Sequence, residues 1–303
     1  MPLPLLRRLL PALVIVPSVA VLASSPALPG QEGRGSREQS MFVTVTGTDG
    51  LPVTGLSPAE FVVREDGRRR EVLTAAPATD PVTIALMVDN SAAAASFVAD
   101  ERRALEPFVK RVGGKNPTAV TAIAERPTIL ADYTLDKDAL VKGVQRIFSI
   151  PGSAAYFVDG VRELSRGLMV RDFRRAVIVA ITAEGPEYSD SRYTETIPLL
   201  KESGAALEAF VLNQPGGPDM SEDGARSRSI ILDQGTRETG GNRTELLSSM
   251  ALEQALAGLA ARLEGQYEIT YARPESLIPP EKIEVSVTRP GLEARGTPAR
   301  TRK

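Results

Sequence analysis

Three short, nearly continuous apolar runs constrain this chain most: Val82-Thr83-Ile84-Ala85-Leu86-Met87-Val88, Ala176-Val177-Ile178-Val179-Ala180-Ile181 and Leu207-Glu208-Ala209-Phe210-Val211-Leu212. Runs of this length, bounded by turn residues, read as strands buried on both faces. Stretches with helical spacing fall between and after them, at 97–112, 136–148, 156–167 and 193–203. A last helix at 250–263 carries Leu252, Leu256, Leu259 and Leu263 at three- and four-residue intervals. Strands are also expected at 119–124 and, as a hairpin edge after Arg126-Pro127, at 128–134. Repeated βαβ units imply a parallel sheet covered on both faces. The expected class is therefore α/β, a doubly wound, mostly parallel sheet.

The flanks have a different texture. Met41-Phe42-Val43-Thr44-Val45-Thr46 is strand-like, and Ser57-Pro58-Ala59-Glu60 carries a helix-start pattern. Glu65-Asp66-Gly67 joins two strands as an Asp-Gly hairpin. Near the other end, 267–271 and 282–287 alternate as strands do, separated by a proline-rich link. A short β segment alone is marginal, so the N- and C-terminal segments are expected to pair into a small β-sandwich-like unit. The expected division is a signal peptide at 1–27, a disordered linker at 28–40, an N-terminal β unit at 41–78, the α/β domain at 80–265, closing strands at 266–295 and a tail at 296–303.

The N-terminus has Arg7 and Arg8, an apolar stretch at 9–23 and then small residues, which is the signal-peptide pattern. It places the mature chain outside the cytoplasm, secreted or periplasmic. An uncleaved anchor is the alternative, although a span needs about 20 apolar residues. The chain has no cysteine, so disulfides cannot brace it. It also has no histidine, which excludes Ser-His-Asp and Cys-His catalysis and most zinc chemistry. Any metal must be a hard cation held by oxygen. A net charge of −2, well mixed, gives no electrostatic case for nucleic acid. The arginine clusters 68–70 and Arg171, Arg174, Arg175 read as solvated turns, and the polar, Gly/Pro-rich segment 214–228 as a loop, with a short helix possible at 229–238. Asp132, Asp136 and Asp138 read as a turn and a helix cap rather than a calcium cluster.

The first apolar run ends in Asp89-Asn90-Ser91. Ligands of open α/β sheets sit at the carboxyl ends of strands, and Asp89 and Ser91, two apart, can face one point there. With Gly152-Ser153-Ala154-Ala155-Tyr156, the strand 177–184, Thr239-Gly240-Gly241 and the closing strands, the order of landmarks resembles a von Willebrand factor A (VWA) domain, and more narrowly the bacterial "VWFA-related" family of secreted proteins. The resemblance covers about 41–295.

What the resemblance implies is a metal-ion-dependent adhesion site in degenerate form. The family pattern is Asp-x-Ser-x-Ser, a later Thr and a later Asp. Asp89 and Ser91 keep the first two oxygens and Ser153 keeps the later hydroxyl, but Ala93 and Ala183 stand at the other two positions. Glu184, in a shifted register, would have to reach back. The expected cofactor is none, with weak Mg2+ as the alternative. The expected partner is a protein, held by a rim that includes Asn90, Tyr156, Glu184, Tyr188 and Tyr193. No nucleic acid and no membrane beyond the signal segment is implied, and no enzyme activity. Two alternatives stay open: a metal-dependent module completed by its partner, and a structural or assembly factor of a cell-envelope complex.

Overall fold

The computed structural model describes residues 36–213, 223–274 and 278–300. The signal-like segment 1–27 therefore lies outside the described residues. A six-stranded sheet is built in the order β10-β9-β8-β5-β6-β7. Its strands are β5 (Thr83–Val88), β6 (Thr118–Ala122), β7 (Thr128–Thr134), β8 (Ala176–Ala183), β9 (Ala205–Leu212) and β10 (Arg243–Leu246). All pairs are parallel except β6–β7. The doubly wound class expected from the apolar runs is the one found.

β5, β6, β8 and β9 are buried along their whole length because helices cover both faces. One face packs α1 (Val98–Val112), α2 (Lys137–Gln145) and α7 (Leu252–Glu264) through Leu105, Val109, Leu140, Leu256 and Leu259. The other packs α3 (Phe157–Met169) and α4 (Tyr193–Ser203) through Phe157, Val161, Leu168, Ile197 and Leu200. Asp136 caps α2, its carboxylate accepting the N–H groups of Asp138 and Ala139.

Two stretches differ from the sequence reading. Residues 223–238 are one helical run, not a loop followed by a short helix: α5 (Asp223–Ile230), a π-helical turn over Ile231–Gly235, and α6 (Thr236–Glu238). Its polar composition hid it, since Ala225, Ile231 and Leu232 are too few to make an apolar stripe. β10 was also not anticipated. It is a polar four-residue edge, paired only with β9.

Seven further strands make the β unit. A four-stranded sheet runs β13-β1-β11-β4 and a three-stranded one β12-β2-β3. The strands are β1 (Ser36–Thr46), β2 (Phe61–Glu65), β3 (Arg68–Arg70), β4 (Val72–Pro77), β11 (Tyr267–Pro274), β12 (Ile283–Val287) and β13 (Glu293–Pro298). Residues 36–40, expected as linker, are strand paired with β11, and 296–298, expected as tail, belong to β13. The β2–β3 turn is Asp66-Gly67, both at positive φ (48° and 77°), as a two-residue hairpin needs. The two sheets enclose Met41, Val43, Val45, Phe61, Val63, Tyr267 and Ile269. Phe61 meets Tyr267 edge to face at 5.2 Å between ring centres.

Phe42 points the other way, beneath Arg174 and Arg175 at 5.9 and 5.4 Å. These arginines are not solvated turns. Arg174 is held by Asp80 (2.7 Å) and Glu268 (2.5 Å). Arg175 is buried, donating to Gln266 Oε1 (2.7 Å), the Asp80 carbonyl (3.1 Å) and the Leu263 carbonyl. Burial pulls its guanidinium down to about 10, against the pull of Asp80 and Glu268. The pair ties the β unit to the α/β sheet with charge-assisted bonds.

β1 lies between β11 and β13, and β2 beside β12. Deleting residues 266–303 should therefore leave β1 and β4 without a ladder and β2 paired with β3 alone. Limited proteolysis should cut within 36–76 at least about tenfold faster than in the full chain. An unchanged rate would mean that those strands hold together alone.

Candidate functional site

The site forms where β5 and β8 end side by side. Asp89 is fully buried. Its Oδ1 accepts the Ser91 N–H at 2.9 Å, and its Oδ2 accepts the Thr182 hydroxyl and the Ala183 N–H, each at 3.1 Å. The carboxylate is thereby a brace across the two strand ends, satisfied by three donors.

Asn90 is buried and serves the scaffold. Its Nδ2 donates to the Phe148 carbonyl (2.9 Å), and its Oδ1 accepts the Ala124 N–H (2.8 Å). It fixes the α2–α3 loop to the end of β6. The Ser91 hydroxyl is buried without a hydrogen-bond partner. The Ser153 hydroxyl donates to the Ile150 carbonyl at 2.7 Å, while its own carbonyl accepts the Ala92 N–H at 3.3 Å. So the structure brings Asp89, Ser91, Ser153 and Ala183 to one sheet edge. Ala93 is pressed against the loop after β8: a Cβ at Gly185 would lie 2.4 Å from the Ala93 Cβ.

That loop is pinned to the start of α3. Ala155 donates to the Pro186 carbonyl (3.1 Å), and Tyr188 to the Ala155 carbonyl (3.0 Å). Glu187 is buried, and its carboxylate accepts the Phe157 N–H at 3.2 Å and both donors of Ser189. A carboxylate at a helix N-terminus is favoured by the unpaired N–H groups there. Burial raises the Glu187 carboxyl above its ordinary range, while Ser189, Arg228 and the Phe157 N–H pull it back. Asp159, in the first turn of α3, accepts from the N–H groups of Asp190 (3.0 Å) and Ser191 (3.1 Å).

The remaining rim residues separate. Glu184 is half-buried, its N–H bonded to the Leu212 carbonyl at 3.2 Å. Tyr156 is half-buried at the entry to α3, and Tyr193 packs against the core as the first residue of α4. Of the three tyrosines only Tyr188 is well exposed.

Two functional-looking residues were missed by sequence reasoning. Arg228 of α5 is buried. Its Nη2 donates to the Thr182 hydroxyl (2.8 Å) and the Ala183 carbonyl, Nη1 to the Gly185 carbonyl (3.4 Å), and the guanidinium lies 5.7 Å from the centre of the Phe157 ring. Nothing in its polar segment signals this. Glu101 of α1 is fully buried, and neither carboxyl oxygen has a hydrogen-bond partner. Burial, then Asp89 and then Asp100, raise its carboxyl well above the ordinary range, with Arg102 opposing. Here a signal exists. Glu101 sits three residues after Val98 and three and four before Ala104 and Leu105, on the apolar face of the helix.

A hard divalent cation needs about six oxygens, with carboxylates to offset dehydration. Here Asp89 is engaged by three donors, Ser153 by a carbonyl, two positions are methyls, and a guanidinium stands two hydrogen bonds from Asp89. Among the described residues no three acidic side chains gather into a metal-holding group. This donor set does not fit such an ion.

Among solved structures, the chain is similar to proximal thread matrix protein 1 from the mussel byssus, in a form whose MIDAS (metal-ion-dependent adhesion site) motif is occupied by zinc. The TM-score is 0.50 at 14% identity, over 69% of this chain and 50% of the mussel protein. The fold is that of a VWA domain. A von Willebrand factor type A structure from Catenulispora acidiphila is also similar, with a TM-score of 0.49 at 11% identity, over 88% of this chain and 63% of that one. The chain thus spans half to two thirds of these two proteins. No family model matches the chain, and no curated protein matches it in sequence.

Proposed function

We propose that this protein is a secreted or periplasmic VWA-type protein-binding module, non-catalytic, whose rim engages its partner without a metal ion. The observation that carries this reading is the surface of the rim. Phe148, Tyr188, Leu247 and Met250 expose 59, 58, 89 and 76% of their area. Three lie on loops and Met250 on a short 3-10 turn at the carboxyl edge of the parallel sheet, around a floor whose Asp89, Asn90 and Ser153 side chains are already hydrogen-bonded. Exposed large apolar groups on loops that a rigid scaffold positions are what protein recognition uses. The signal-like N-terminal segment supports the location. Among the described residues no helix is long and apolar enough to cross a membrane.

A photo-crosslinking residue at Tyr188, compared with one at the exposed Leu73 of the β unit, tests the surface in envelope extracts. Crosslinks from position 188 and not from 73 are expected, and the reverse would place recognition on the β unit. With the crosslinked partner purified, Tyr188→Ala and Leu247→Ala should each weaken binding by about 1–2 kcal/mol. Binding should be the same in EDTA as in Mg2+, and a partner held only in Mg2+ would defeat the metal-independent reading.

A further inference from the structure

Buried arginines are expensive unless paired and hydrogen-bonded. Arg228 is buried beside the ends of β5 and β8, where the candidate site forms. Its fork reaches the Thr182 hydroxyl, which in turn donates to Asp89, and the carbonyls of Ala183 and Gly185, which open the loop running on to Glu187 and Tyr188. It stacks near Phe157 and faces the buried Glu187 carboxylate, whose ionised form it favours. The approach is close. A Cβ at Gly224, one turn earlier in α5, would lie 2.5 Å from the Glu187 carbonyl oxygen. Asp89, through Thr182, and two loop carbonyls thus converge on one guanidinium, whose charge also reaches the buried Glu187 carboxylate.

We infer that the Arg228 guanidinium is the resident cation of this site, supplying from within the chain the positive charge that a divalent ion would bring and locking the 184–188 loop in its binding shape. The inference rests on the metal-independent reading above and explains it. A metal ion must be captured from solution and leaves when chelated. A guanidinium on a helix does neither, so the rim is permanently in one state. Charge is the essential property, because Asp89 already has its three donors and Glu187 has its own. What both lack without Arg228 is a countercharge in a region of low dielectric.

The test compares thermal unfolding of the full chain with Arg228→Lys, Arg228→Gln and Arg228→Ala. Lysine keeps the charge and loses the fork. Glutamine keeps two donors and loses the charge. The expected order of midpoints is wild type, then Lys, then Gln, with Gln roughly 10 °C below wild type. A Gln variant that fails to fold while Lys folds gives the same order. A Gln variant equal to or above Lys overturns the inference. In Arg228→Ala, about 20 mM guanidinium chloride, far below denaturing concentration, should recover at least half of the lost midpoint while leaving wild type unchanged. No recovery counts against a cation site. Wild type should keep its midpoint in EDTA, Mg2+ or Mn2+. A Mn2+-dependent rise that Ser91→Ala or Glu101→Gln removes would show a metal site built on those unpartnered oxygens, and would overturn the metal-independent reading as well. If wild type ignores metals and the Arg228 variants match it, only the role of Arg228 fails.

Discussion

Replacing Glu101 with methionine should make the protein more stable, by about 2 kcal/mol at pH 7, with a midpoint roughly 5 °C higher. Most core substitutions do the opposite. Glu101 lies fully buried on the face of α1 that carries Val98, Ala104 and Leu105, and its oxygens have no hydrogen-bond partner. Ionised there, it would pay for desolvation and for the nearby Asp89; kept neutral, it must hold a proton that the unfolded chain would release. The sign of the pH dependence follows. The folded-state value lies above the unfolded one. Below the unfolded value the carboxyl is neutral in both states and costs nothing by titration. As the pH rises past it, the unfolded chain ionises first, and stability falls until the pH passes the folded value. The advantage of Glu101→Met should therefore grow between pH 4 and pH 7. Denaturant unfolding of both proteins at those two pH values measures it. A variant less stable than wild type at pH 7, or an advantage that shrinks with rising pH, would mean that Glu101 finds a partner when ionised.

The α/β core was legible because its strands are apolar on both faces. β5, β8 and β9 needed no partner information, since burial on both sides leaves a continuous run in the sequence. The Asp66-Gly67 hairpin was legible because few residues tolerate two consecutive positive φ angles. Illegible were the elements whose polar groups are satisfied from far away. Arg175 looks like a surface charge until Leu263, Gln266 and Asp80 are placed around it. Arg228 and α5 look like loop because the carbonyls and hydroxyl that accept from that side chain lie about 45 residues away in sequence. The positions of Asp89 and Ser91 could be inferred from a strand end alone, whereas that of Ser153, on the loop between α2 and α3, followed only from the family resemblance. That the Asp89 carboxylate braces β8, and that Asn90 serves the scaffold rather than the surface, depended on tertiary bonds. Tyr193 was a rim residue by sequence position and is a core contact by packing.

The substitution expected to do most damage is Gly241→Ala, a change of one methyl group. A Cβ there would lie 2.0 Å from the backbone oxygen of Leu207 and 2.5 Å from its carbonyl carbon, so β9 itself would have to move. Its neighbour Gly240, at φ +79°, faces the Gly296 oxygen at 2.2 Å by the same measure. The turn joins three elements. Thr239 Oγ1 accepts the Leu207 N–H (3.0 Å), the Thr239 carbonyl accepts the Thr297 hydroxyl (2.8 Å), and Arg295 donates to the Gly241 carbonyl (2.7 Å). Through these bonds β13 of the β unit is seated on β9 of the VWA sheet. Displacing β9 opens a packed core, which tolerates little movement. The loss should exceed about 4 kcal/mol, enough to abolish soluble folded protein or to lower the midpoint by more than roughly 10 °C. Gly258→Ala is the control. Gly258 lies inside α7, where a Cβ would meet only Arg262 Nη1 at 3.7 Å. There alanine should stabilise by about 0.5–1 kcal/mol, because glycine costs that much in a helix interior. Circular dichroism melts of the two variants beside wild type decide the matter. If Gly241→Ala melts within a few degrees of wild type, the close approach of the turn to β9 is not what holds the β unit in place.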